Sequence, residues 1–319
     1  MISFVDPATQ TELTMKEEAL VDDSRRVAFP IVDGIARFVE SEDDYAENFG
    51  WQWHHWHDTM SDSRLTGTAK RDLIDKRTQF ERFDLEGKSL LECGMGGGDD
   101  TEVLLQMPFS EVHSFDLSNA VDRAKKYLDD SRLTLSQASL FEIPYADEAF
   151  DFVYCHRVLQ HTPDPEKGLR SISRKVNPGG VLFAHCYRKH WRDLISYKYK
   201  YRWFTKRVPS SWIFWFVENF GARLRDINEW AYNKNRYTCF LAENFVPFDY
   251  HGKFGNMNRE QLLEVSKLCT FDALTPKYDK PMTASHFRRV IESEGFRILN
   301  MHGEESRGTP LYMTAVKKA

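Results

Sequence analysis

Residues 88–100 read Lys88-Ser89-Leu90-Leu91-Glu92-Cys93-Gly94-Met95-Gly96-Gly97-Gly98-Asp99-Asp100. The run 89–93 is short and apolar, the composition of a parallel strand buried on both faces. Glu92 and four glycines (Gly94, Gly96, Gly97, Gly98) end it, and a helical pattern of Thr101, Val103, Leu104, Leu105 and Met107 begins at once. A strand that runs through a glycine turn into a helix brings bare N–H groups and a positive helix end against a ligand. A side chain at the turn would block that approach, so glycine is the residue required.

The spacing separates two ligand classes. Dinucleotide turns follow G-x-G-x-x-G, but the position three after Gly96 is Asp99. The chain carries Glu92-x-Gly94-x-Gly96-x-Gly98 instead. This resembles the first motif of class I S-adenosylmethionine (SAM) methyltransferases, in which an acidic residue closes the first strand. A second strand, 111–115, ends in Asp116, 22 positions after Gly94. An acid about 20 positions past such a turn accepts hydrogen bonds from ribose hydroxyls. Ser118 then caps a helix to Leu128, with Val121, Ala124 and Leu128 facing inward. A third strand spans 133–139. Gln137-Ala138-Ser139-Leu140 followed by Ile143-Pro144-Tyr145 resembles the family's adenine-holding motif, although Ser139 stands where the family usually has Asp.

The most specific block begins with a fourth strand, 150–155. It continues His156-Arg157-Val158-Leu159-Gln160-His161-Thr162-Pro163-Asp164-Pro165. Asp164 and Pro165 suit a helix N-cap and first turn. Leu169, Ile172 and Val176 line one face of that helix, and Asn177-Pro178-Gly179-Gly180 turns into a fifth strand, 181–185. The block closely resembles the family's Val-Leu-His-His-Thr-Pro-Asp-Pro run, which precedes a Lys-Pro-Gly-Gly turn. Four motifs in order over residues 88–186 identify the chain as a member of the class I methyltransferases. The resemblance implies a Rossmann-like α/β fold: a mostly parallel seven-stranded sheet closed by an antiparallel hairpin. Thr283 capping a helix with Phe287, Val290 and Ile291, then strands at 296–301 and 311–316, fits that closing hairpin within 283–319. The implied cofactor is SAM, with S-adenosylhomocysteine as product. The implied cofactor-binding set is Glu92, Gly94, Met95, Gly96, Gly98, Asp116, Leu117, Ser139, Leu140, Cys155 and His156, with Arg77 reaching the cofactor carboxylate.

Composition bounds the rest. A chain of 319 residues can bury one large α/β core plus additions. A net charge of −5 argues against a surface that grips nucleic acid throughout. Met1-Ile-Ser-Phe-Val-Asp lacks the basic start and apolar run of a signal peptide. No stretch approaches the ~18 apolar residues of a membrane span. The five cysteines (Cys93, Cys155, Cys186, Cys239, Cys269) are odd in number and scattered. That pattern fits reduced thiols in a cytoplasm and no structural zinc.

Three additions surround the expected core. Residues 1–40 form a small β module, with Phe29-Pro30-Ile31-Val32-Asp33-Gly34-Ile35 as a hairpin. The module resembles the zinc-ribbon-like domain fused to, or partnering, some methyltransferases. Asp6-Pro7-Ala8-Thr9 stands where that domain's first cysteine pair belongs and no second pair exists, so the resemblance implies a structural or docking remnant without metal. Residues 41–87 form a helical lid. The segment from Phe49 to His57 places His54, His55 and His57 close together, but no carboxylate or cysteine accompanies them at ligand spacing, which favours aromatic packing. The family's Tyr-x-x-x-Phe-Gly-x-Gln-Trp is matched by Tyr45, Phe49, Gly50, Gln52 and Trp53, a segment that folds over the cofactor in the family. Aromatic faces there would stabilise a sulfonium.

Residues 187–282 form a helical cap or substrate insertion. Its stretch 187–207 holds eight Lys/Arg, one Asp and seven aromatics, and Trp212-Ile213-Phe214-Trp215-Phe216-Val217 follows. A cap over an acidic small substrate, a nucleic-acid patch, an amphipathic element on an anionic membrane and a solvated basic face all stay open. The acidic chain favours the cap. Phe271-Asp272-Ala273-Leu274-Thr275-Pro276-Lys277-Tyr278 resembles a segment lining the substrate side of related enzymes, and the implied substrate contacts are Tyr187, Arg188, Arg192 and Tyr278. For chemistry, a hydroxyl or ammonium acceptor must lose a proton, and histidine is the usual base. His156 holds the position of the polar residue in the Asn-Pro-Pro-Tyr motif of amino-methyltransferases, and His161 is the second candidate. The expected function is SAM-dependent methylation of a small acidic or aromatic metabolite at O or N. A tRNA methyltransferase and a SAM-binding scaffold without catalysis are the alternatives.

Overall fold

The computed structural model describes residues 2–23, 28–39, 49–50, 52, 55–56, 67–190, 195–250, 252, 257–303 and 310–319. Its strands are β1 (Thr14–Lys16), β2 (Ala19–Val21), β3 (Ala28–Val32), β4 (Ile35–Arg37), β5 (Ser89–Cys93) and β6 (Glu111–Asp116). Then come β7 (Leu133–Gln137), β8 (Phe150–Cys155), β9 (Val176–Cys186), β10 (Phe296–His302) and β11 (Leu311–Lys317). All pair into one sheet of order β1-β2-β3-β4-β7-β6-β5-β8-β9-β11-β10. The seven strands from β7 to β10 are the expected core. Strands β5 to β9 run parallel, and β11 enters antiparallel between β9 and β10. Central β5 is buried at every position, as its apolar run requires.

The sheet does not stop at β7. Whereas the sequence sets residues 1–40 apart, β4 pairs parallel with β7 through Ala36↔Ser136 and Arg37↔Gln137, and β3, β2 and β1 extend it. The physical cause is burial. Ile35, Ala36 and Phe38 are buried. Phe4 stacks on Tyr145 at 5.1 Å, and Arg37 pairs with Asp122 of the core. The β7 edge, otherwise an open row of N–H and C=O groups, is thereby covered. A second difference concerns the turn at Asn177-Pro178-Gly179-Gly180. It lies inside β9 as an irregularity, with Phe150 opposite Val176 but Phe152 opposite Val181.

Helices α1 (Gly67–Thr78), α2 (Asp99–Leu104), α3 (Ala120–Tyr127) and α4 (Pro165–Arg174) belong to the core. The cap contributes α5 (Tyr197–Thr205), α6 (Ser210–Lys234), α7 (Arg236–Phe245) and α8 (Arg259–Leu274), and α9 (Ala284–Ser293) returns to the core. Asp164 and Thr283 cap α4 and α9 through Lys167 N and His286 N, as read. Asn119, not Ser118, takes the N-cap place of α3 without a side-chain cap bond, while the Ser118 hydroxyl donates to Asp116 and accepts from Ala120 N (3.3 Å).

Residue α8 packs on α6 through Leu268, Phe271 and Leu274 against Ile213 and Val217. The basic run of the cap serves this packing. Arg202 donates to Ala273 O (3.1 Å) and Pro276 O (2.7 Å), and Thr205 Oγ1 donates to Leu274 O (2.7 Å). These bonds satisfy carbonyls at the C-terminal end of α8, where cations are favoured. On the outer face Trp203, Phe204, Trp212 and Trp215 stand exposed. Among the described residues no helix is long and apolar enough to cross a membrane.

Candidate cofactor and acceptor site

Where chain order reverses across β5, the carboxyl ends of β5, β6 and β8 open on a cavity of about 210 Å³ that α8 closes from the cap side. Such a switch point is where α/β sheets bind ligands. Gly94 (φ +77°) and Gly96 (φ +54°) turn the chain there, and both line the cavity. Gly98 (φ +89°) serves packing instead. A Cβ there would lie 2.7 Å from Tyr127 Oη and 2.9 Å from Leu128 Cδ1, so its absence lets α3 close on the turn.

Asp116 anchors this turn. Its Oδ2 accepts from Gly96 N (2.8 Å), and its Oδ1 accepts from Ser118 N (2.8 Å) and Ser118 Oγ (2.7 Å). Burial raises its pKa. Glu92, at the end of β5, accepts from Thr101 Oγ1 (2.6 Å) and Ser114 Oγ (2.8 Å), and burial pushes it up to about 7. Asp99 opens α2 only 5% exposed, and neither of its oxygens meets a donor among the described residues. Gln52 Oε1, on the lid, is likewise buried and unpartnered among them. Asp100 differs. Burial works against its charge, but Lys70 (3.2 Å) and His156 outweigh that and hold it well below the usual carboxylate range. Four carboxylates face Lys70 on this wall, a potential suited to a cationic ligand.

The two histidines part company here. His156 Nδ1 donates to Asp100 Oδ2 (2.7 Å), leaving Nε2 to face Arg77 Nη1 at 3.4 Å. A guanidinium only donates, so both ring nitrogens are engaged. Burial takes this ring down to about 4, so it stays neutral. His161 instead donates from Nδ1 to the Tyr278 carbonyl (3.3 Å). A carbonyl only accepts, which fixes the tautomer and leaves Nε2 with a free lone pair. Its ring meets Phe49 (4.9 Å) and Tyr187 (5.5 Å) edge-on, and burial lowers its pKa.

Of the residues anticipated from sequence, Glu92, Gly94, Met95, Gly96, Asp116, Leu117, Leu140, His156, His161 and Tyr187 line the cavity together. Others stand outside the lining. Ser139 Oγ accepts from Phe141 N (3.2 Å), Cys155 is buried in β8, and Arg77 lies over the Tyr312 ring. Arg188 is paired with Met282 through the backbone, and Tyr278 reaches the site through its carbonyl alone. Arg192, Tyr45 and Trp53 lie outside the described residues.

Sequence reasoning missed Lys70, Asp99, Asp100, Arg157, Leu268 and Cys269, all of which line the cavity, whereas Asp272 lies in the segment read as lining the substrate side. The Asp99-Asp100 pair carried a readable signal, two acids at a helix start just past the glycine turn. Leu268 and Cys269 of α8 carried none, because no local pattern brings α8 to β8.

Comparison with known proteins places this geometry. Residues 91–184 match the model of a methyltransferase domain. A ubiquinone biosynthesis O-methyltransferase of Coxiella burnetii is 28% identical over 174 residues, which is 49% of this chain and 74% of that protein. Its Pseudomonas entomophila namesake is 31% identical over 139 residues, 41% of this chain and 56% of that one. A solved complex of the Haloferax volcanii Trm112 methyltransferase activator with a methyltransferase is 13% identical. It covers 86% of this chain and 99% of that one, with a TM-score of 0.46. The glycine turn, the acid-lined cavity at the switch point and the matched domain lead to one conclusion: the protein is a SAM-dependent methyltransferase of the class I fold, with S-adenosylmethionine as its cofactor.

Proposed function

We propose that the protein transfers the SAM methyl group to an oxygen of a small aromatic acceptor, with His161 Nε2 taking the hydroxyl proton. The observation that carries this is the fixed tautomer of His161 beside the cofactor turn. The ring slot of Phe49, His161 and Tyr187 supports an aromatic acceptor, and the names of the relatives above support oxygen. When bound, SAM supplies an activated methyl on a cationic sulfur. The chain's own part is to hold, align and exclude water. Gly94 and Gly96 admit the cofactor, Asp116 and Glu92 take its donors, and His156 orients Asp100 against Lys70. Turnover with matched phenols and anilines, followed by mass analysis of the product, tests the reading. Methyl transfer to anilines alone overturns it. Residues 1–40 act in this reading as a built-in cover for the β7 edge, the place an activator-like domain would take.

Asp116→Ala should weaken SAM binding by about 1–3 kcal/mol, the size of lost charge-assisted bonds. Titration calorimetry reads this directly, and unchanged affinity removes Asp116 from the ribose contact.

Glu92 gives a pH signature. Its folded pKa of about 7 lies above the ordinary value of 4.5, so the native state holds a proton that the unfolded chain releases. Its contribution to stability is therefore full below 4.5 and falls as pH rises through 7. A cationic cofactor favours the ionised form, so binding should expel this proton. SAM affinity should rise with pH up to about 7 and then level off. Calorimetry in two buffers of different ionisation heat should show proton release below pH 7 that vanishes in Glu92→Gln. A pH-independent wild type would remove this role.

A further inference from the structure

Among the described residues, the cation on the cap side of the cavity belongs to the core. Arg157 follows β8 with φ +61°, a left-handed conformation unfavourable for a residue with a Cβ. Its N–H donates to His185 Nδ1 (3.1 Å), which pins the strained backbone from a ring that burial keeps neutral. Strain of this kind persists where surroundings over-determine it, most often at ligand sites. The side chain lines the cavity and is open to its solvent. Among the described residues its guanidinium makes no hydrogen bond or ion pair. Asp100 is engaged by Tyr154, His156 and Lys70. Asp272, across the cavity on α8, also has no hydrogen bond among the described residues and stands too far from Arg157 to pair with it.

A guanidinium that is open to the cavity and has no partner among the described residues is available to an anion that enters it. Its charged and polar neighbours are Tyr187, Cys269 and Asp272 on the cap side and Asp100 on the cofactor wall, and Asp100 is already engaged. Lys70 already supplies a cation on the cofactor wall. We infer that Arg157 anchors a carboxylate on the acceptor, held bidentately by its two-pronged donor edge. The substrate class is therefore an aromatic hydroxy acid, with its ring in the slot beside His161. This rests on the cavity being the acceptor site for oxygen methylation. Arg matches carboxylate geometry where Lys offers only a point charge.

The test uses the full chain saturated with S-adenosylhomocysteine and two probes of equal shape, 4-hydroxybenzoate and its neutral amide. Calorimetry should show the carboxylate bound about 10- to 100-fold more tightly than the amide. Arg157→Gln should erase that preference while leaving S-adenosylhomocysteine affinity within about twofold. Arg157→Lys should restore part of it. A wild type that binds both probes equally, or binds neither, overturns the anchor. So does an Arg157→Gln variant whose S-adenosylhomocysteine affinity falls in step, since the cation then belongs to the cofactor. Binding is read without turnover, so the anchor and the oxygen-transfer reading fail separately. Phenols with a carboxylate methylated equally by wild type and Arg157→Gln at sub-saturating concentration keep the transfer and sink the anchor. Tight carboxylate binding without methylation of any phenol does the reverse.

Discussion

Gly94→Ala is expected to abolish measurable SAM binding. A Cβ at this position would lie 2.2 Å from Val158 Cγ2 and 3.0 Å from Cγ1, distances that real side chains do not reach. Val158 is β-branched and stiff at χ1, so it cannot swing aside. The displaced turn would carry Met95 and Gly96 out of register with Asp116, whose Oδ2 holds Gly96 N. Gly94 also sits at φ +77°, which adds about 1–2 kcal/mol of strain for any residue with a Cβ. Two companions separate these effects. Gly87 has a similar φ of +72° but open space around its Cβ direction, so Gly87→Ala should lose only that strain and bind SAM normally. Gly94→Ala combined with Val158→Ala removes the overlap and should recover much of the affinity. Wild-type SAM affinity in the single Gly94→Ala variant would show that the ligand does not sit on this turn.

His161→Ala should lower kcat by roughly 10²- to 10⁴-fold, the usual loss of a positioned base, with SAM affinity unchanged. The side chain is small in the overall packing and its partner is a backbone carbonyl, so thermal stability should fall little. Burial lowers the pKa of this ring, so in the wild type it is deprotonated and competent across the neutral range. The rate should then climb with pH only on the acid side of 6.5 and stay flat above it. Loss of SAM affinity instead of rate would make His161 a packing residue, and a wild-type kcat would end its role as base.

The legible part of the molecule was the part whose chemistry is local. The turn after β5, Asp116 after β6 and the caps of α4 follow from residues within a few positions of one another. The long-range pairings did not follow. Nothing in Ile35, Ala36 and Arg37 names Ser136 and Gln137 as partners, so the N-terminal strands read as a module beside the sheet. The cap misled for another reason. Lys and Arg spaced along 187–207 signal positive charge but not direction, and Arg202 turns inward to the last carbonyls of α8. Arg157 was hidden by its neighbour. Histidine is the conspicuous residue for acid–base work, so His156 drew the attention, while only backbone strain and the lack of a partner among the described residues single out the arginine.

The extension of the sheet past β7 also bears on how the chain is made. Synthesis delivers β1 to β4 first, yet Arg37 finds its partner Gln137 only 100 residues later. Until β7 emerges, β4 has no strand to pair with on its open edge, although Phe38 can already pack on Phe4 and Phe29. The apolar edge of the early meander must wait exposed on the ribosome. Closing so long a loop adds little to the equilibrium cost, since the entropy grows only as the logarithm of its length. The burden falls on the rate, because distant pairing slows folding far more than it weakens the fold. Docking of β4 on β7 is thus expected to be a late event, and the nascent chain is most vulnerable to aggregation between those two moments of translation.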